Sequence, residues 1–149
     1  MELVKQISRE QIERLQATMV DMPQVEVVTT HHFSPGMYMR KLELPTGTTL
    51  VGKEHKAAHF FMCLSGELLV SLQSGMETVK AGAVFESPAG AKRVMFAVVD
   101  SIIATVHKTD TTDIDAIEAE LIEPDPAARY DALNNIIQPS IEVTPCPGH

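Results

Sequence analysis

His55 and His59 stand four residues apart in the stretch Gly52 to Gly66, GKEHKAAHFFMCLSG. Imidazoles can bind a metal ion, carry a proton near neutral pH or donate hydrogen bonds. In a helix this spacing would align both rings on one face. The β-rich Phe-Phe-Met-Cys run between two glycines instead predicts an extended loop carrying His55 and a strand opening at His59. Alternation sets His59, Phe61 and Cys63 on one face of that strand, with Phe60, Met62 and Leu64 on the other. His107 is a third imidazole, on a later strand whose facing the sequence leaves open. Tyr38 and Arg40 share a face of an earlier strand and are expected at the mouth of a binding site. His31 and His32 are strand neighbours, so they point to opposite faces and cannot bind one ion together.

Two imidazoles alone make a weak metal site, because catalytic centres usually hold three protein ligands. A centre of His55, His59 and His107 is therefore one expectation; Glu54 and Glu86 are the carboxylates nearest in sequence. No glycine-rich phosphate loop is present, and Ser65-Gly66 and Ser74-Gly75 read as turns rather than nucleophile elbows. Cys63 falls in a core strand, where a free thiol is an inert small hydrophobe.

The elements that must position these groups follow from the turn residues. Ser8 to Met22 reads as a helix: Ser8 and Gln11 form a capping box, Ile7 can staple onto Ile12, and Pro23 ends it. Its apolar stripe is Ile12, Leu15, Met19 and Met22. Nine short strands are predicted next: 25–32, 37–44, 48–51, 59–64, 67–72, 77–80, 83–87, 93–99 and 101–107. They are divided at Ser34-Pro35-Gly36, Pro45-Thr46-Gly47, Ser65-Gly66, Ser74-Gly75, Ala81-Gly82 and Pro88-Ala89-Gly90. Many short strands at this spacing predict a sandwich or barrel. A helix capped by Thr111-Thr112-Asp113 is predicted over 113–122, with Ile114, Ile117, Leu121 and Ile122 as its apolar side, and a weaker one over 127–137. Residues 138–149 carry three prolines and read as a tail or an arm laid on a neighbouring subunit. The organisation expected is an N-terminal helix (1–24), a β-barrel (25–109) and an acidic helical segment with a tail (110–149).

Composition narrows the function classes. The chain has 149 residues, 44% of them apolar, enough for one domain with a real core. Its net charge of −8 lies wholly in the C-terminal segment, where nine acidic side chains face Arg129 alone. Without a basic face, non-specific nucleic-acid binding is not expected. No apolar run is long enough for a membrane span, no basic-then-apolar leader opens the chain, and two cysteines make no disulfide framework. A soluble, cytoplasmic protein without membrane partners is the expectation.

The stretch ending at Gly66 resembles the first signature motif of the cupin superfamily: glycine, five residues, His-x-His, three or four residues, glutamate, six residues, glycine. Read back from Gly66, His59 takes the glutamate position, His55 the second histidine and Lys53 the first. Gly82 to Gly90, GAVFESPAG, is similar to the front half of the second motif; Arg93 then stands at the third histidine and Ala97 at the asparagine. The resemblance covers about residues 37–107 and implies a mainly β, cupin-type jelly-roll barrel, here with an N-terminal helix and one or two C-terminal helices. It also implies that Lys53, His55, His59 and Arg93 face one cavity, with Lys53 and Arg93 at two of the four usual metal-ligand positions. Arg93 offers a planar fork and Lys53 a point charge. The first functional expectation is thus a small anion (a phosphorylated sugar, a nucleotide or an organic acid) held by Lys53, His55, His59 and Arg93. His55 or His59 could then carry a proton in an isomerisation. The second is a metal-dependent oxygenase or isomerase with a reduced histidine set. The third is a non-catalytic assembly module, since small stand-alone cupin-like proteins of bacteriophages look similar, which would place the chain in an infected cell or a virion. Cupin barrel edges commonly pair between subunits, so the resemblance implies a homo-oligomer.

Overall fold

The computed structural model describes residues 7–125, 128, 130–133 and 136 of the chain. Helix α1 spans Arg9–Met19, and Ser8 caps it with the reciprocal Gln11 contacts the sequence predicts. It ends one turn earlier than predicted. The Gln24 side-chain amide donates to the carbonyls of Met19 and Met22, which gives those helix-end acceptors partners outside the helix. Of the apolar stripe only Ile12 is buried, while Leu15 and Met22 stay exposed.

Nine strands follow: β1 Val28–Ser34, β2 Met37–Leu44, β3 Thr49–Val51, β4 His59–Ser65, β5 Glu67–Leu72, β6 Gly75–Lys80, β7 Val84–Ser87, β8 Val94–Ala97 and β9 Ser101–Lys108. All pairings are antiparallel. They form a five-stranded sheet, β1-β2-β9-β4-β7, and a four-stranded sheet, β3-β8-β5-β6. β1 starts three residues later than predicted because the register pairs Val28 with Glu43. Residues 25–27 would lie opposite Leu44, Pro45 and Thr46, and Pro45 has no amide to donate.

The two sheets close on one core. Leu44, Phe61, Cys63, Leu68, Val70, Ala97 and Ile103 are all 3% exposed or less. Burial alternates along β4 as the sequence predicts, with His59, Phe61 and Cys63 inward. The chain passes from the first sheet to the second at Gly66, where φ is +86°. A Cβ there would collide with the Ser101 hydroxyl and lie 2.5 Å from the Asp100 carbonyl oxygen, so the corner accepts only glycine.

Helix α2, Ile114–Leu121, is capped by the Asp113 carboxylate. Its apolar side packs over the end of the barrel, Ile117, Leu121 and Ile122 closing on Tyr38. The second C-terminal helix predicted over 127–137 is not there among the described residues. Ala132 and Leu133 form a turn, and Tyr130 makes an isolated antiparallel bridge to Ile136. The tail at 138–149 lies outside the described residues. Among the described residues no helix is long and apolar enough to cross a membrane.

Candidate metal and ligand site

The register of the five-stranded sheet assembles the site. β2 pairs Tyr38 with His107, β9 pairs Val106 with Phe60 and so sets His107 beside His59, and β4 pairs His59 with Ser87. One row of inward side chains, Tyr38–His107–His59–Ser87, therefore crosses four strands. The next row inward holds Arg40, Thr105, Phe61 and Phe85. His55 reaches over the first row from the loop before β4. That loop is pinned on both sides: the Gly90 amide donates to the His55 carbonyl, His55 bridges to Ile122, and the Lys56 amide donates to the Leu121 carbonyl. The Glu123 amide donates to the Glu54 carbonyl, and Arg9 of α1 pairs with the Glu54 carboxylate at 3.0 Å.

The three imidazoles converge. Ring centroids lie 4.1 Å apart for His55–His59, 4.9 Å for His55–His107 and 4.7 Å for His59–His107, and one nitrogen from each falls within 4.8 Å of the others. His59 Nδ1 lies 3.1 Å from the Ala57 carbonyl. A carbonyl only accepts, so Nδ1 carries the hydrogen and Nε2 keeps its lone pair for the cluster. Burial pushes His55 down to about 2, and the neighbouring His59, His107 and Arg40 further disfavour a positive charge there. Burial likewise pushes His107 down to about 3, with His59 and Arg40 adding to it. His59 is lowered by burial and by Arg93. All three are neutral at physiological pH, the form in which imidazole is a metal ligand.

The cationic groups around the cluster divide into two sets. Lys53 lines the cavity, but its ammonium is engaged by Glu118 of α2 at 2.8 Å and by the Asp131 carbonyl at 2.9 Å. Arg40, also a cavity wall, lies 3.6 Å from the other Glu118 oxygen, beyond hydrogen-bond reach, and that oxygen is buried with no hydrogen bond among the described residues. Arg40 Nε donates to the Tyr38 hydroxyl, which sits 2.6 Å from His31 Nδ1. Tyr38 is a correction to the expectation of a residue at the mouth: at 1% exposure it lies beneath α2, stacked on His107, and does not line the cavity. Arg93 forms the second set. Its Nε and Nη2 both donate to the Ser87 hydroxyl, and its guanidinium lies over Phe85 at 5.2 Å.

The cavity beside the cluster has a volume of about 100 Å³, and its walls are mostly apolar, with Leu42, Leu50, Phe61, Met95 and Ile103 among them. Two contributors escape a reading of the sequence. Ser87 ends a strand like many serines. Glu118 lies outside the motif-bearing stretch, although its place on α2 gives a signal: it falls four residues from both Ile114 and Ile122 and three from Leu121, among the buried side chains of the helix.

No protein-family model matches the sequence, and no curated protein matches it. Solved structures do. The salicylate 1,2-dioxygenase of Pseudoaminobacter salicylatoxidans, solved with gentisate adducts, superposes with a TM-score of 0.53 at 12% identity, over 75% of this chain and 33% of that one. KdgF from Halomonas sp. gives 0.51 at 13% identity, over 60% and 84% of the two chains. An RmlC-like cupin from Shewanella frigidimarina gives 0.50 at 14%, over 62% and 83%. At such identities the likeness is one of architecture, and it agrees with the two facing antiparallel sheets and the glycine-proline frame of the sequence: the chain has a cupin-type jelly-roll fold.

Proposed function

We propose that this cupin holds one divalent transition-metal ion through His55, His59 and His107 and binds a small anionic molecule beside it. The observation that carries the reading is the convergence of three neutral imidazoles, two buried on strands and one half-buried on a loop. Three nitrogen ligands with one side left for substrate is a donor set suited to zinc, iron or a neighbouring metal. Ligand nitrogens at about 2.1 Å from one ion lie at most about 4.2 Å apart. The widest pair, within 4.8 Å, closes by a modest turn of the rings. Such an ion would supply Lewis acidity towards a bound oxygen atom.

The chain's own residues supply the rest. Ala57 fixes the His59 tautomer, the loop seam to Ile122 sets His55, and Thr105 meets His107 Nε2 at 2.8 Å. The metal-free reading, with His55 or His59 as proton carrier, is less well supported. A base whose conjugate acid is pushed down to about 2 takes up almost no proton at neutral pH. Lys53, engaged by Glu118, is also no free anion ligand in this conformation. An assembly role draws on exposed Phe60 and Val84 on the outer face of the five-stranded sheet, a surface for the expected homo-oligomer.

Elemental analysis of untagged protein tests the proposal. One ion per chain is expected in the wild type, with loss of that ion in His55→Ala/His59→Ala. Retention of the same stoichiometry in the double variant, or a metal-free wild type that takes up no zinc, manganese or ferrous ion on dialysis, would overturn it.

A further inference from the structure

We propose that the molecule held in the barrel is a short-chain carboxylic acid, bound as its carboxylate by Arg93 with its carbon body against the apolar walls. The inference deepens the reading above and relies on it only for the acid's position beside the histidines. It begins with charge. Three cations line the cavity, Arg40, Lys53 and Arg93, and Glu118 lies against the first two. Among the described residues no carboxylate comes within ion-pair distance of Arg93. It is half-buried, and among the described residues its guanidinium has a neutral hydroxyl and a ring face as partners. A desolvated guanidinium without a counter-charge is unfavourable, and an incoming anion removes that penalty.

The shape of the free donors narrows the anion. Nε and one Nη2 hydrogen are committed to Ser87, which leaves the edge formed by Nη1 and the second Nη2 hydrogen. That edge matches the two coplanar oxygens of a carboxylate. A phosphate dianion would ask for further donors and more charge, and of the other two cations Lys53 is hydrogen-bonded to Glu118 while Arg40 has its charge balanced by the same carboxylate at 3.6 Å.

Size decides the rest. A cavity of about 100 Å³ is smaller than the roughly 150 Å³ that takes up benzene, so it encloses about four non-hydrogen atoms, the carbon chain of a butyrate-sized acid. A nucleotide or phosphorylated sugar needs several times that volume. Leu42, Leu50 and Met95 offer such a body dispersion contacts and no hydrogen bonds, so a hydrocarbon chain fits them better than a polyol.

Isothermal titration calorimetry on the full chain, metal-depleted and then zinc-loaded, tests the assignment with butyrate, butyramide and inorganic phosphate. Butyrate is expected to bind, Arg93→Gln to weaken it about ten- to a hundredfold, and butyramide and phosphate to bind far more weakly. Because butyramide removes the charge from the ligand, the comparison holds even if the Arg93 variant folds poorly. Equal binding of butyramide, tighter binding of phosphate, an unaffected Arg93→Gln, or no butyrate binding at millimolar concentration would each overturn the proposal. A chain that takes up no metal yet binds butyrate through Arg93 sinks the metal reading alone. A chain that takes up zinc and binds no butyrate sinks the carboxylate assignment alone.

Discussion

Glu118 holds two cations of the cavity wall from outside the barrel, with one carboxylate oxygen on Lys53 and the other buried near Arg40 without a hydrogen bond. Replacing it by glutamine keeps the shape and removes the charge. Because both cations are more buried than exposed, we expect Glu118→Gln to lower stability by about 1–3 kcal/mol, read as a shift in the urea midpoint. The same variant loosens Lys53 and removes the counter-charge facing Arg40, so butyrate should bind it more tightly than the wild type; weaker binding would contradict the division of the cations drawn here. At this scale the sequence reveals side chains that a short segment places. His59 follows from strand alternation, and Lys53, His55 and Arg93 follow from the motif spacing. The facing of His107 does not, because it depends on the β4–β9 register, which only the folded sheet defines. Glu118 escapes for the same reason: nothing local says that α2 will lie over the barrel.

At the scale of elements the turns were the most legible feature, and the nine strands fall where the turn residues divide the chain. Each of Gly36, Gly47, Gly66, Gly75, Gly82 and Gly90 has positive φ, and each is a glycine at a predicted break. Gly66 carries the greatest consequence, because the sheet changes there and the space for a side chain is already filled by Ser101 and Asp100. Gly66→Ala should destabilise the protein by about 2–4 kcal/mol, from backbone strain and overpacking together. Gly82→Ala, with nothing within 4 Å of the added Cβ, meets the strain without the collision and should lose less. Denaturant titration of the pair separates the two contributions, and equal losses would refute the steric account. Alanines and a leucine over 127–137 match a helical pattern, yet the described residues 130–133 and 136 form a turn and an isolated bridge. Single-segment propensity yields there to contacts such as the Tyr130 hydroxyl on the Val25 carbonyl.

For the molecule as a whole, three histidines held neutral make folding sensitive to acid. Their folded-state values lie below the ordinary 6.5, with His55 near 2 and His107 near 3. Below pH 6.5 the unfolded chain binds protons that the native cluster refuses, so stability falls as pH falls, down to about 3. The slope approaches about 1.4 kcal/mol per pH unit for each of His55 and His107 within that window. Thermal denaturation of metal-free protein across that window should show this decline, and a flat profile would contradict it. Bound metal should raise the midpoint near neutral pH and lose its effect in acid, since protons compete for the same nitrogens.

The seam between the His55 loop and the end of α2 has one more consequence. Ile122 bridges His55, Leu121 accepts from Lys56, and Glu118 of the same helix reaches the cavity cations. The acidic C-terminal segment is therefore no appendage to a finished barrel. Trimmed before Ile114, the chain would keep its nine strands and lose what aims His55 and covers Tyr38: a scaffold that could still be recognised by its architecture and would have no working interior.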